Sequence, residues 1–301
     1  MRILLEYILK INNMSTKLNS TKAVESEDSL YHYTSVEVLC CLLKSITAQK
    51  WEAQNQEPHM IFRATHIRFL NDKSEYQFFI TKLKMDLLQY DEEHYAGKNK
   101  EIILRNTRYL AFMTDYVTEP SVISFCKKRD DLTMWNLYGD HNKGVCLEFD
   151  WKKLDALDDL TLVTCNYVST DEKYFNDSDL EIALGYLKSI PEKPSRLVPH
   201  PQWANIIDPL SYTKNKDYQD EAECRLIAHS NTYDFATKNE CIRPYLNIPI
   251  PVDALKSITI GPCTGNPDMG IWGIQTMLNQ AVGEKAKNIR IIKSKKDFRI
   301  I

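Results

Sequence analysis

The sequence lacks the short signatures of the common nucleotide and hydrolytic sites. It has no G-x-x-x-x-G-K-[ST] phosphate loop, no G-x-G-x-x-G dinucleotide turn and no G-x-S-x-G nucleophile turn. Its seven histidines contain no H-x-x-x-H or H-E-x-x-H pair, so no metal site built on histidines is expected. The eight cysteines are scattered without a C-x-x-C pair. That pattern argues for reduced, mostly buried thiols in the cytoplasm rather than disulfides or zinc.

Excess charge is missing too. A net charge of -3 gives no global basic field for nucleic acid. No uninterrupted apolar stretch is long enough to span a bilayer, so no membrane partner is expected. The apolar run from Met1 to Ile11 is broken by Glu6 and Lys10, and no small-residue cleavage site follows it. Residues 1–29 read as an N-terminal extension and residues 30–301 as one domain. At 301 residues and 43% hydrophobic composition, the chain can bury a sizeable core.

What is present begins with Leu30-Tyr31-His32-Tyr33-Thr34-Ser35, a brief aromatic strand. A helix should follow, with a stripe at Val36, Leu39, Cys40, Leu43 and Ile46 and a capping box from Thr34 and Glu37. His32 would then stand at the mouth of a strand-to-helix turn. Residues 61–69 read as a strand, and Asp72 with Glu75 as a second capping box. That box opens a helix to about Tyr90, with Phe78, Phe79, Leu83 and Leu87 inside.

Helices are also expected over 100–115, 132–138 (stopped by Gly139), 171–190 and 269–282. Strands are expected over 122–126, 144–150, 162–168, 221–228, 243–250, 258–260 and 289–293. Residues 191–201, with four prolines, read as extended or looped. Short strands mixed with short helices, without βαβ regularity, indicate an α+β fold.

Four constellations could carry chemistry. His32 between two tyrosines is one, although a lone histidine is more often structural. In Glu221-Ala222-Glu223-Cys224-Arg225, strand alternation would put both glutamates and Arg225 on one face. Arg225 would lower a neighbouring carboxyl's pKa and keep it anionic, which suits stabilising a developing positive charge. The group Ala64-Thr65-His66 with Asn71, Asp72 and Tyr76 is explained equally well by a strand and a capped helix. Trp135 and Tyr138, three apart on one helix face, form either a core pair or an aromatic wall for a flat ligand.

Taken together, several motifs resemble the bacterial domain of unknown function 2971 family. They are LYHYTS, ATHIRFLND-x-x-E, F-C-x(5)-L-x-M-W-x-x-Y-G, GVCLEFD, K-x(3)-Y-x-x-E-x-E-x-R, IGP and the terminal SKKDFR. They run from Leu30 to Arg299. That family in turn resembles, distantly, the ADP-ribosyltransferases, whose site is a histidine, aromatic and glutamate triad that uses NAD as substrate.

This second resemblance implies a single domain with a split, mostly antiparallel mixed sheet flanked by helices. It also implies an NAD-dependent transferase or NAD glycohydrolase, in toxin or phage-defence biology, with protein, nucleic acid or water as acceptor. Glu223, paired with Glu221 in an E-x-E like that of arginine-modifying members, would contact the ribose and offset an oxocarbenium-like charge. His32 would hold the other ribose or the dinucleotide backbone. Tyr33, Thr34, Thr65 and Arg225 would complete the nucleotide site, and Tyr76 or Tyr138, beside Trp135, would stack on the nicotinamide. The transferases usually carry Gly after the strand-one histidine; here Tyr33 adds bulk.

The reading requires His32 and Glu223 to open onto one cleft and not onto opposite faces of the sheet. Two other classes stand beside it. One is a non-catalytic nucleotide-binding module, and the other is a protein-interaction domain, for which the acidic balance and long helices suffice.

Overall fold

The computed structural model describes residues 29–49, 51, 56–70, 74–113, 120–192, 208–230, 232–238 and 240–296. Residues 1–28 of the expected N-terminal extension, Asp72 of the second capping box, nearly all of the proline-rich 191–201 stretch and the end of SKKDFR lie outside those residues; Ser29, expected in the extension, is instead the first residue of a strand.

The architecture is α+β, and the described residues form a mixed, mostly antiparallel sheet of ten strands flanked by helices. Its middle strand is β3 (Pro120–Cys126). β8 (Glu223–His229) pairs along β3 from Pro120 opposite His229 to Cys126 opposite Glu223, and β5 (Leu160–Thr164) lies beyond it. A strand has two edges, so β1 (Ser29–Thr34) and β2 (His59–His66) share the other one. β1 takes the Cys126 end, and β2 takes the Val122 and Ser121 end. From β1 the sheet continues through β4 (Val145–Asp150) and β11 (Leu255–Ile260) to β12 (Arg290–Lys293). From β2 it continues through β10 (Cys241–Pro251) to β9 (Asp234–Lys238). The sheet therefore forks at β3. A separate parallel pair joins β6 (Asn166–Val168) to β7 (Thr213–Asn215).

Strand alternation sorts the side chains onto two faces. Leu30, Phe62, Phe125, Phe149, Leu226 and Ile248 form the main core, which includes residues of α1 (Val36–Ala48) and α7 (Pro267–Val282). On the other face a small cluster joins Tyr33, Cys126 and Cys146 to Met134 and Trp135 of α4 (Leu132–Tyr138). A second large core gathers α2 (Ser74–Tyr95), α3 (Lys100–Met113) and α6 (Asp177–Ser189) through Phe79, Leu83, Leu87, Ile103, Leu184 and Leu187.

Several local expectations are corrected. Ser35, not Thr34, caps α1, its side chain accepting the Val38 N–H. Thr34 is held in the sheet opposite Val145, so its neighbour is left to cap. The buried stripe of α1 is Leu39, Leu42, Leu43 and Ile46, while Val36 is exposed. The strand expected at 162–168 is two strands, because at Cys165 the chain leaves β8 and turns to pair with β7. α6 begins only at Asp177, where Asn176 supplies the cap. One βαβ unit does occur, with α7 between the parallel strands β11 and β12.

The glycines of GVCLEFD and IGP have a steric reason. Gly144 lies where the end of β1 meets the start of β4, and a Cβ there would overlap the Thr34 carbonyl oxygen. Gly261 donates its N–H to Gly144 O at 2.9 Å, and its own Cβ would meet the backbone of Asn142. The neighbours are main chain and cannot swing aside. Gly144→Ala should therefore lower unfolding stability by about 1–3 kcal/mol, the usual cost of overpacking, measured as a lower urea midpoint at unchanged m-value.

Candidate functional site

The fork leaves Ile123, Ser124 and Phe125 of β3 without a strand on the β1/β2 edge. His32 reaches into that gap. Its Nδ1 lies 2.8 Å from Ser124 O. A carbonyl can only accept, so Nδ1 carries the proton and Nε2 keeps a free lone pair. Phe62 and Phe125 flank the ring, with centroids 5.4 and 5.7 Å away. Burial lowers the His32 pKa below its ordinary value, and the bond to Ser124 only partly opposes this. His32 is neutral at pH 7.

The second feature is a buried charge cluster. Arg225, 1% exposed, directs Nε to Glu223 Oε1 at 2.8 Å and Nη1 to Ser211 O at 2.8 Å. Its Nη2 lies 2.9 Å from both oxygens of Glu75 and 3.1 Å from Glu223 Oε2. Lys214, 3% exposed, donates to Glu223 Oε2 at 2.7 Å, lies 3.1 Å from Glu75 Oε1 and donates to Glu221 Oε2. Tyr138 donates its hydroxyl to Glu221 Oε1 at 2.6 Å. With its carboxylates ionised, the cluster of Glu75, Glu221, Glu223, Lys214 and Arg225 carries one net negative charge.

Burial pushes the Glu223 carboxyl up, but the charges of Arg225 and Lys214 and their hydrogen bonds outweigh it and hold the pKa at about 2. For Lys214, burial lowers the pKa, and the attraction of Glu223, Glu75 and Glu221 more than reverses this.

The strand expected over 221–228 begins only at Glu223. Ala222 is left-handed (φ 45°, ψ 47°) and closes the 3-10 turn Lys216–Glu221. Glu221 is therefore not on the strand face with Glu223 and Arg225. It joins them through Lys214 instead.

His32 and Glu223 both line one cleft of about 830 Å³. Their side chains nevertheless leave opposite faces of the sheet. His32 pairs with Leu147, a main-core residue, whereas Glu223 pairs with Cys126, which packs on the other face beside Tyr33. The expectation of a shared face is not met. The two meet one cleft because it extends into the fork, taking in Phe62 and Phe125 from one face and Ser124 and Cys126 from the other.

Of the other expected site residues, Tyr33, Thr34, Thr65, Tyr138, Glu221 and Arg225 line this cleft. Tyr33 spends its hydroxyl on the backbone, donating to Lys128 O and accepting from Asp131 N, both at 2.9 Å. Its ring meets Trp135 edge-on at 4.9 Å. Trp135 is 0% exposed, donates to Asp130 Oδ1 at 2.8 Å and does not line the cleft. It is the core half of the pair rather than an aromatic wall. Tyr76 also lies off the cleft wall, with the Arg68 guanidinium 5.4 Å from its ring centre.

The sequence reading missed Glu75 as a site residue, having treated it as a cap partner, and gave no role to Lys214, the first residue of K-x(3)-Y-x-x-E-x-E-x-R. Arg63, Arg243 and Tyr245 also line the cleft and carried no signal.

Among the described residues no helix is long and apolar enough to cross a membrane. The family model described as Protein of unknown function (DUF2971) matches residues 134–226, a span that holds most of α4, all of β4, Lys214 and the start of β8. This match supports the resemblance to that family. No curated protein and no solved structure matches the chain.

The depressed Glu223 pKa has a signed consequence. An ordinary carboxyl titrates near 4.5, so the stability that this group contributes is complete above that pH and is lost as pH falls from about 4.5 toward 2. Lys214→Met removes one of the two cations that hold the pKa down. Acid unfolding followed by circular dichroism should therefore begin at higher pH in this variant than in the wild type. An unchanged acid limb would show that Lys214 does not set the ionisation of Glu223.

Proposed function

We propose that this chain is an NAD-dependent enzyme resembling the ADP-ribosyltransferases, transferring ADP-ribose to an acceptor or releasing it to water. The shared face with His32 that the sequence reading required is absent, so the proposal rests on Glu223 alone, a carboxylate gripped by Arg225 and Lys214 and lining a cleft of about 830 Å³. A cleft of this volume falls within the range of small-molecule sites. Breaking the nicotinamide–ribose bond develops positive charge on the sugar, and a pre-fixed anion favours that state over the neutral ribose.

Arg225 and Lys214 fix the Glu223 carboxylate in place and in its charged form. His32, neutral with Nε2 as an acceptor, can take a hydroxyl proton from a ligand that enters the fork. Tyr138 already donates to Glu221, so its part is to orient that carboxylate.

A second reading is a nucleotide-binding module without turnover. Two observations favour it: His32 and Glu223 leave opposite faces, and both oxygens of Glu223 are already engaged by Arg225 and Lys214. Nicotinamide release from NAD separates the two. The enzyme reading expects release by the wild type and a fall of at least about a hundredfold in Glu223→Gln, the scale of losing one electrostatic stabiliser, with the fold retained. NAD that raises the melting temperature without any nicotinamide released would instead establish the binding module.

A further inference from the structure

The end of the cleft formed by β2 and β10 carries charge of the opposite sign. In the β2–β10 ladder, Arg63 faces Asn247 and Thr65 faces Tyr245. Alternation then puts Arg63, Thr65, Tyr245 and Arg243 on one face. This is the face opposite the main core, to which Phe62, Ala64, Leu246 and Ile248 contribute, and all four residues line the cleft.

The Arg63 guanidinium carbon stands 4.7 Å from the centre of the Tyr245 ring. Such a contact occupies the face of the guanidinium and leaves its N–H edge for an acceptor. Arg243 Nε is buried and has no hydrogen-bond partner among the described residues. Neither arginine has an acidic partner among the described residues. Buried donors are rarely left unmade in a native chain, and an unpartnered guanidinium in a cleft is a site for an anion that guanidinium forks match, above all phosphate.

We propose that Arg63 and Arg243 form a diphosphate-binding subsite, which orients a nucleotide with its phosphates at β2 and β10 and its other end toward Glu223. Two arginines without an acidic partner among the described residues line one end of the cleft, beside Asp234, whose carboxylate is engaged by Asn247, and the cluster of three carboxyl groups and two cations lines the other. A diphosphate at the carboxylate end would be repelled by the same field that would attract a cationic or developing-cationic group. The subsite deepens the NAD reading by fixing which way round the dinucleotide lies. It rests equally on the binding-module reading, because nothing in it needs turnover.

The test is calorimetric binding of ADP, inorganic pyrophosphate and adenosine to the full chain. The wild type should bind ADP and pyrophosphate, and Arg63→Ala and Arg243→Ala should each weaken both by roughly 10- to 150-fold, the value of a charge-assisted hydrogen bond. Adenosine binding should be the same in all three proteins. Arg63 is exposed, so Arg63→Ala should fold whatever happens to Arg243→Ala, with urea unfolding as the check.

The subsite is overturned if the wild type binds neither ADP nor pyrophosphate, or if folded Arg63→Ala binds both as tightly as the wild type. If the arginine variants lose ADP but the wild type releases no nicotinamide, the subsite stands and the enzymatic reading falls. If nicotinamide is released with an unchanged KM in Arg63→Ala, the subsite falls and the enzymatic reading stands.

Discussion

The Arg225 guanidinium is the contact on which the rest of the site depends. It is almost wholly buried and joins three stretches of chain: Glu75 near the start of α2, Ser211 just before β7, and Glu223 beside it on β8. Lys214 repeats the connection from β7. Removing such charges from water costs several kcal/mol per ion, and mutual attraction offsets this only when every group is matched. Loss of any one member leaves the others buried and unpaired, at a cost of about 3–5 kcal/mol. The helical core around α2 and the central sheet are therefore held in register by the groups that set the ionisation of Glu223. A substitution in this cluster therefore changes stability as well as site chemistry, and the isosteric Glu223→Gln, which keeps one acceptor oxygen, disturbs the packing least.

The fork at β3 is the second constraint. Two strands share one edge, and the three residues between them have no ladder partner on that side. The ring of His32 supplies a substitute at Ser124 O. This bond accounts for the histidine structurally, since it satisfies a backbone acceptor that β-pairing leaves open. It also fixes the tautomer. The structural and functional roles of His32 are two ends of one ring: Nδ1 holds the fork, and Nε2 is left for anything that enters it.

How much of this was legible varied with the range of the interaction. α4 is read from local signals alone, because Asp131 caps it through the Met134 N–H and Gly139 ends it. The strands of the sheet were largely visible in their apolar alternation. The cap of α1 was misplaced by one residue, since Thr34 and Ser35 both have capping side chains and only the pairing of Thr34 with Val145 decides between them. Glu221 was set on the strand because no glycine marks the left-handed turn at Ala222. Lys214 and Glu75 could not be read together at all: they meet at 3.1 Å in space, yet no periodicity links a residue before a 3-10 turn to one on a helix far upstream. Long-range charge pairing leaves no local pattern, and it is where the site was least visible.

The opposite-face placement of His32 and Glu223 changes what the cleft can do. A ligand lying flat on one face would touch only one of them. Tyr33 adds to this restriction, since its ring packs against Trp135 on the Glu223 side and both ends of its hydroxyl bonding are taken by the backbone of Lys128 and Asp131. The Tyr33 ring is thus committed to the core, and rotating it away would leave the Asp131 N–H unmet, while Lys128 O would keep the Cys126 thiol as a donor. A ligand that contacts Glu223 lies on the face that this fixed ring shares. It reaches Nε2 of His32 only by entering the fork. A single ligand that meets both residues must therefore bridge the two faces through the split of the sheet itself.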